Sequence, residues 1–256
     1  MIVWERSHAG HHYQVRTAGS SIRLYRNQVF HSQYHGGRLL NGGVWDMLWL
    51  PLFFRQPPDA SKKLKPLRVL VLGVGAGAAI KKISDYVPNV SIVAVDIDKV
   101  HLQVARRFVG LKRHKVKLVH ADAIAWLKAY KGPAFDLIID DLFFDQDGEP
   151  FRAVAFADKN AFWLRRIKAC LSPQGLLIAN CVSSKEARSL VAGAQCSLSS
   201  AFSYGYSLRE PNYENIICIA SRYSLNLANW RHHLASALGQ VALNKLSNTQ
   251  KFRRLA

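Results

Sequence analysis

Three things are scarce in this sequence of 256 residues. Acidic residues number 17 against 35 lysines and arginines, a net charge of +18. Cysteines number four (Cys170, Cys181, Cys196 and Cys218), widely spaced and without paired metal spacing. That excludes a small disulfide scaffold, and a reducing cytoplasm is the expected compartment. Long apolar runs are missing too. Met47 to Phe54 has eight residues and contains Pro51, whereas a membrane span needs about 18. The start, Met1-Ile-Val-Trp-Glu-Arg-Ser-His8, has no signal-type apolar region, so no targeting segment is expected. Apolar residues as a class are plentiful, at 49% of the chain. They suffice for a sizeable core and exclude disorder and collagen. The length fits one large domain, or one domain with a small appendage.

The excess of positive charge would attract a polyanion such as nucleic acid or an anionic membrane surface. The acids are unevenly placed, however. Nine of the 17 fall between Asp96 and Glu149. The chain is basic as a whole and acidic around one prospective site.

Residues 1–56 read as a small β-rich region. Tyr13-Gln-Val-Arg16 and Ile22-Arg-Leu-Tyr25 alternate with period two around a Gly-Ser turn, which predicts a hairpin. A further strand is expected over Gln28 to Tyr34, and a short buried helix over 43–54. His8, His11 and His12 read as a solvated, flexible segment. Residues 57–66, rich in Pro and Lys, read as a linker.

From Leu67 the pattern changes. Apolar strands at Arg68–Leu72, Ser91–Asp96, Val116–Val119, Phe135–Asp140 and Gly175–Asn180 alternate with helical segments. That order predicts an α/β fold with a parallel sheet covered on both faces. A polar loop is expected from Asp141 to Pro150, then helices over Lys159–Cys170 and Ser184–Gln195. Two strands near Ser203–Leu208 and Asn215–Ala220 are close enough to pair antiparallel. The domain spans 67–224, and 225–256 is expected to be a helical, basic tail.

Gly73-Val-Gly-Ala-Gly77 joins the first of these strands to a helix. Glycine permits the turn and lets backbone N–H groups approach a ligand. With Ala78 in the third position, the spacing leaves a dinucleotide open. Asp96 ends the next strand, 19 residues after Gly77, where a carboxylate can accept the hydroxyls of a ribose. Asp98 reads as a helix N-cap. Asp122-Ala123 reads either as an adenine contact or as another cap. Asp140-Asp141 ends the fourth strand, where ligands bind in open α/β sheets. Adjacent carboxylates raise one another's pKa, which suits a general base. Asp145-x-Asp147-Gly-Glu149 lacks the twelfth-position ligand of a calcium loop, where Phe156 stands. No metal is expected.

Val69-Leu-Val-Leu-Gly-Val-Gly-Ala-Gly77, Val95-Asp-Ile-Asp98, Val104-Ala-Arg-Arg-Phe-Val-Gly-Leu111, Val119-His-Ala-Asp-Ala123, Phe135-Asp-Leu-Ile-Ile-Asp-Asp141 and Leu171-Ser-Pro-Gln-Gly-Leu-Leu-Ile-Ala-Asn180 occur in order. As a set they resemble the spermidine synthase (polyamine aminopropyltransferase) family over about residues 67–220. The resemblance implies the Rossmann-like class I methyltransferase fold, a mostly parallel seven-stranded sheet with helices on both faces. It implies S-adenosylmethionine or its decarboxylated form as cosubstrate, and a homodimer. Gly73, Gly75 and Gly77 match the nucleoside loop, Asp96 with Ile97 the ribose segment, and Asp122-Ala123 the adenine-side pair. Asp141 matches the aspartate that opens the catalytic Asp-Ser-Ser-Asp-Pro loop, and so the general base. Asp140 and Asp145 are candidates for the acceptor side.

The departures are concentrated in the polyamine half. The catalytic loop reads Asp141-Leu-Phe-Phe-Asp145, placing its second aspartate on Phe144. Ala76 occupies the place of the acid that holds the aminopropyl amine. The Tyr-(His/Gln)-Glu stretch aligns with Val44-Trp45-Asp46, and the Asp-Gly-x-x-Gln element with Asn27-Gln-Val-Phe-His31. Three functions follow. The first is a transferase moving an aminopropyl or methyl group to an amine or other nucleophile. The second is a nucleic-acid methyltransferase using Lys62, Lys63, Lys65, Lys81, Lys82, Arg106, Arg107, Lys112, Arg113 and the basic tail. The third is a non-catalytic nucleoside-binding scaffold.

Overall fold

The computed structural model describes residues 1–41, 43–55, 65–146, 149–154, 162–192, 202–210, 213–249 and 251–255, with backbone alone for 145, 146, 149, 150, 192, 247–249 and 251. Three tight turns organise the first 35 residues. Strands β1 (Ile2–His8), β2 (His11–Ala18), β3 (Ser21–Arg26) and β4 (Val29–His35) form an antiparallel meander. Ala9 and Gly10 join β1 to β2, and Asn27 and Gln28 join β3 to β4; all four have positive φ. Two left-handed central residues give the turn whose twist matches a hairpin. The histidines expected on a flexible segment stand on β1 and β2, with His12 3.5 Å from Glu5. The linker 57–66 lies outside the described residues except for 65 and 66.

Helix α1 (Val44–Trp49) runs into a 3-10 turn, Leu50–Phe54, because Pro51 supplies no N–H to continue the helix. Then follow β5 (Leu67–Leu72), α2 (Ala78–Tyr86), β6 (Val90–Asp96), α3 (Lys99–Arg107), β7 (Val116–His120), α4 (Ala123–Ala129) and β8 (Phe135–Asp140). A small hairpin, β9 (Phe143–Gln146) and β10 (Glu149–Arg152), precedes α5 (Phe162–Cys170), β11 (Leu171–Cys181) and α6 (Ser184–Ala192). The chain ends with β12 (Tyr204–Arg209), β13 (Ile216–Ser221), α7 (Leu227–Leu238), α8 (Gln240–Thr249) and β14 (Lys251–Arg254).

The main sheet has the order β14-β12-β13-β11-β8-β5-β6-β7. Strands β11, β8, β5, β6 and β7 are parallel, and β13, β12 and β14 antiparallel. The period-two alternation of a strand splits the core in two. Val69, Val71, Leu137 and Ile139 join one apolar cluster with the N-terminal sheet, α1, α2, α3 and α7. Leu70, Leu72 and Ile138 join the other with α4, α5 and α6.

Two expectations are corrected here. The loop 141–150 is a hairpin, paired Phe143 to Arg152 and Phe144 to Phe151. Its two four-residue strands, Phe143-Phe-Asp-Gln146 and Glu149-Pro-Phe-Arg152, carry no period-two alternation to mark them in the sequence. The tail is not helical throughout: β14 adds an eighth strand, Tyr206 opposite Arg254 and Leu208 opposite Phe252. It covers the edge that β12 would otherwise expose, and an open edge invites pairing with another chain. Helix α7 is fixed to the N-terminal third of the chain. The Trp230 indole donates to the Leu50 carbonyl at 3.0 Å, and Phe54 packs against Trp230, Tyr206 and Phe252.

The N-terminal sheet is held over the site by a buried cation. Lys82 on α2 is 2% exposed and donates to the carbonyls of His35, at the end of β4, and Arg38. Burial lowers its pKa, opposed by the charge of Asp46. Among the described residues no helix is long and apolar enough to cross a membrane.

Candidate active site

The order of strands reverses around β5, whose neighbours β6 and β8 lead to opposite ends of the sheet. Loops at the carboxyl ends of strands diverge at such a point and leave a crevice. A cavity of about 400 Å³ lies there, and the N-terminal sheet and α1 wall its other side.

Its floor is the turn after β5. Gly73, Gly75 and Gly77 all have positive φ. At Gly73 the requirement is also one of space, since a Cβ would stand 2.2 Å from the Asp141 carbonyl oxygen. Gly73→Ala is therefore expected to destabilise the fold by about 1–3 kcal/mol through backbone strain alone. A thermal melt checks this, and an unchanged melting temperature contradicts it. Gly73 and Gly75 line the cavity. Gly77 does not: it caps α2, where a Cβ would come within 3.0 Å of Leu111 and 3.2 Å of Ala105.

Asp96 ties two loops together. Oδ2 accepts the Val74 N–H at 2.7 Å, and Oδ1 accepts the Asp98 N–H at 2.7 Å. His101 on α3 lies beneath, Nδ1 at 3.5 Å from Asp96 and Nε2 at 3.5 Å from Asp98. Burial works against charge on both partners, but their mutual attraction outweighs it. The Asp96 carboxyl is held below its ordinary pKa and the His101 imidazole above its own. Asp98 accepts from the N–H groups of Val100 and His101, as the expected N-cap does, and also from the Tyr13 hydroxyl at 2.7 Å. A carboxylate has about four acceptor directions. At Asp96 the two N–H groups and the imidazole already occupy three, which narrows the expected grip on a ribose diol.

Ile97, Asp122 and Ala123 complete that end of the cavity. Ile97 is 68% exposed, an apolar side chain left bare beside the opening. Asp122 caps α4 through the Ala125 N–H at 2.7 Å, as its cap reading expects, and also lines the cavity.

Asp141 also lines the cavity, with its backbone against Gly73. Asn180 Nδ2 donates to its Oδ1 at 2.8 Å, and Asn215 Nδ2 donates to Asn180 Oδ1 at 3.0 Å. Burial pushes its pKa up from 3.8 to about 7, against the Asn180 hydrogen bond and the charge of Arg152. Asp140 does not belong to the acceptor side. It is fully buried, accepts from Arg152 at 3.0 Å and the Trp163 indole at 2.8 Å, and does not line the cavity. The sheet's alternation explains the difference, because adjacent strand residues face opposite sides. The side chain of Asp145 lies outside the described residues, as does Asp147.

Several lining residues were invisible as candidates in the sequence. His31 and Phe30 come from β4, Trp45 from α1, and Tyr213 and Asn215 from the segment before β13. The only hint was that 27–31 and 44–46 align with polyamine-gripping elements while carrying other residue types.

The model of the spermine/spermidine synthase domain matches residues 52–221. The chain belongs to this family. A polyamine aminopropyltransferase of Caldanaerobacter subterraneus is 33% identical over 115 residues, 43% of this chain and 38% of that protein. A human eEF1A lysine and N-terminal methyltransferase is 31% identical over 129 residues, 46% of this chain and 18% of that protein. The chain thus covers less than half the length of these curated relatives. The crystal structure of a probable spermidine synthase from Corynebacterium glutamicum shares the fold, with a TM-score of 0.69 and 18% identity. That match covers 96% of this chain and 94% of the other. Among the described residues no cluster of His, Cys, Asp and Glu has the makings of a metal site.

Proposed function

We propose that this protein is a transferase that uses an S-adenosylmethionine-type cosubstrate, with Asp141 as general base toward an amine. The observation that carries this is one cavity that gathers two kinds of group. The glycine turn, Asp96, Ile97, Asp122 and Ala123 line it together with Asp141, a half-buried carboxyl whose pKa is raised to about 7. Relatives that carry the names aminopropyltransferase and methyltransferase support the same class.

The chemistry is an in-line displacement. Asp141 takes a proton from the acceptor ammonium, and the freed nitrogen lone pair attacks a carbon bonded to the sulfonium. A C–N bond forms as the C–S bond breaks, and the sulfur leaves neutral with the electron pair. The enzyme contributes alignment and a base whose pKa lies near the working pH.

Of the two donors, S-adenosylmethionine fits better and makes methyl transfer the leading reaction. Ala76 is fully buried, so the place of the aminopropyl-holding acid is an apolar packing position. Family membership keeps aminopropyl transfer as the second reading. Thermal shifts with S-adenosylmethionine, decarboxylated S-adenosylmethionine and methylthioadenosine test the proposal. A ligand at about 100 times its Kd stabilises the fold by roughly 2.7 kcal/mol. The largest shift is expected with S-adenosylmethionine. A larger shift with the decarboxylated form selects aminopropyl transfer, and no shift with any of them refutes the reading.

A further inference from the structure

The acceptor end of the cavity has walls of a different kind from its floor. Directly after Asp141 come Leu142, Phe143 and Phe144, all lining it. Opposite them, Trp45 and Tyr213 flank Gly43. A Cβ there would lie 3.0 Å from the Tyr213 hydroxyl and 3.3 Å from the Trp45 ring. Phe30 meets Trp45 edge to face at 5.3 Å. Phe30 and Phe144 are 41% and 44% exposed, so rings lie bare beside the cavity as well as within it.

Among the described residues, carboxylates are sparse beside these rings. The lining acids among the described residues are Asp96, Asp98, Asp122 and Asp141. The first three cap or tie backbone at the nucleoside end. Asp46 and Glu210, 1% and 5% exposed, do not line the cavity. Among the described residues an acceptor therefore meets one carboxylate, the Asn180 and Asn215 amides, the cation of Arg26 and a set of rings. A diamine or triamine would bring a second ammonium into this apolar wall. Stripping water from an ammonium without a carboxylate is expensive, and contact with ring faces offsets only part of it.

We infer that the acceptor carries a single amine on an apolar or aromatic stem, and that Phe30, Trp45 and Tyr213 select for it. This rests on the transferase reading above. Two sources share that chemistry: a free arylalkylamine and the lysyl side chain of a peptide. The amine reaches Asp141, and the stem lies against the rings.

The test is product formation from labelled cosubstrate with four acceptors: phenethylamine, a lysine-containing peptide, putrescine and spermidine. Cosubstrate binding is followed separately by thermal shift. Phenethylamine or the peptide is expected to exceed putrescine in kcat/KM by at least roughly tenfold, the scale of discrimination set by apolar pocket contacts. Whichever of the two is faster identifies the source. Phe30→Ala is expected to cut kcat/KM for the favoured acceptor by roughly tenfold and so to shrink its margin over putrescine, while the thermal shift with cosubstrate persists. Putrescine or spermidine as the best acceptor overturns the inference. So does turnover of none of the four while cosubstrate still binds. Failure of cosubstrate to bind overturns the transferase reading instead.

Discussion

Asp141→Asn abolishes turnover while cosubstrate binding persists. The loss expected on removing a positioned general base is about 10²–10⁴-fold in kcat. The substitution keeps the shape of the side chain and its contact with Asn180. In the parent protein kcat/KM rises with pH through about 7, where the Asp141 carboxyl ionises, and levels off above it. The amide of the variant has no proton to lose, so any residual rate lacks that inflection. Stability moves the opposite way. Between the unfolded value of 3.8 and the folded value of about 7, the folded chain binds the extra proton. Stability therefore falls as pH rises through that window. Asp141→Asn removes the penalty and melts higher than the parent at pH 8, by an amount on the order of a few kcal/mol, with the gap closing toward pH 4. Wild-type turnover in the variant removes Asp141 from the mechanism. Equal melting at both pH values removes the buried-charge account.

Arg152→Leu is the second large effect, and it is structural. The Arg152 side chain is 4% exposed and pairs with Asp140 at 3.0 Å and Glu186 at 2.9 Å, while also donating to the Asn180 carbonyl. It pins β10 to β8, β11 and α6 at one point. Removing one partner of a buried pair costs about 3–5 kcal/mol, because the other charge stays buried without it. For a domain of this size that is a fall of about 6–20 °C in melting temperature. Arg152→Leu combined with Asp140→Asn should recover part of the loss, since the orphaned carboxylate goes with its partner. If the double variant melts no higher than the single, packing rather than charge holds the hairpin.

How much of this was legible in advance depended on whether the signal was local. The glycine turn, Asp96, Asp98 and Asp122 sit at strand ends and helix starts, where a few neighbouring residues fix the geometry. Asp141 was legible for the same reason. Its neighbour Asp140 was misassigned because a doublet of acids does not say which of the two faces the cavity. The pleat decides that, and Arg152 and Trp163 are remote in sequence. The hairpin 143–152 read as a loop because its strands are four residues each, without alternation, and three acids lie among them. Strand β14 went unseen because Lys251–Arg254 becomes a strand only by finding the edge of β12. His101 lay on a helix face with nothing to mark it, and its role emerges from Asp96 and Asp98 converging on it. The aromatic wall was visible only as changed residue types at 27–31 and 44–46. Trp45 and Tyr213 meet through folding across most of the chain.

The bond from Trp230 to Leu50 spans 180 residues. On a ribosome adding about 5–20 residues per second, the apolar stretch 44–54 emerges about 9–36 s before the helix that covers part of it. For much of that interval Phe54, whose partners Tyr206, Trp230 and Phe252 all come later, is available to any other apolar surface. A nascent chain of this kind is a natural client for a holding chaperone. Shortening it ahead of α7 would leave that stretch uncovered and the product prone to aggregate.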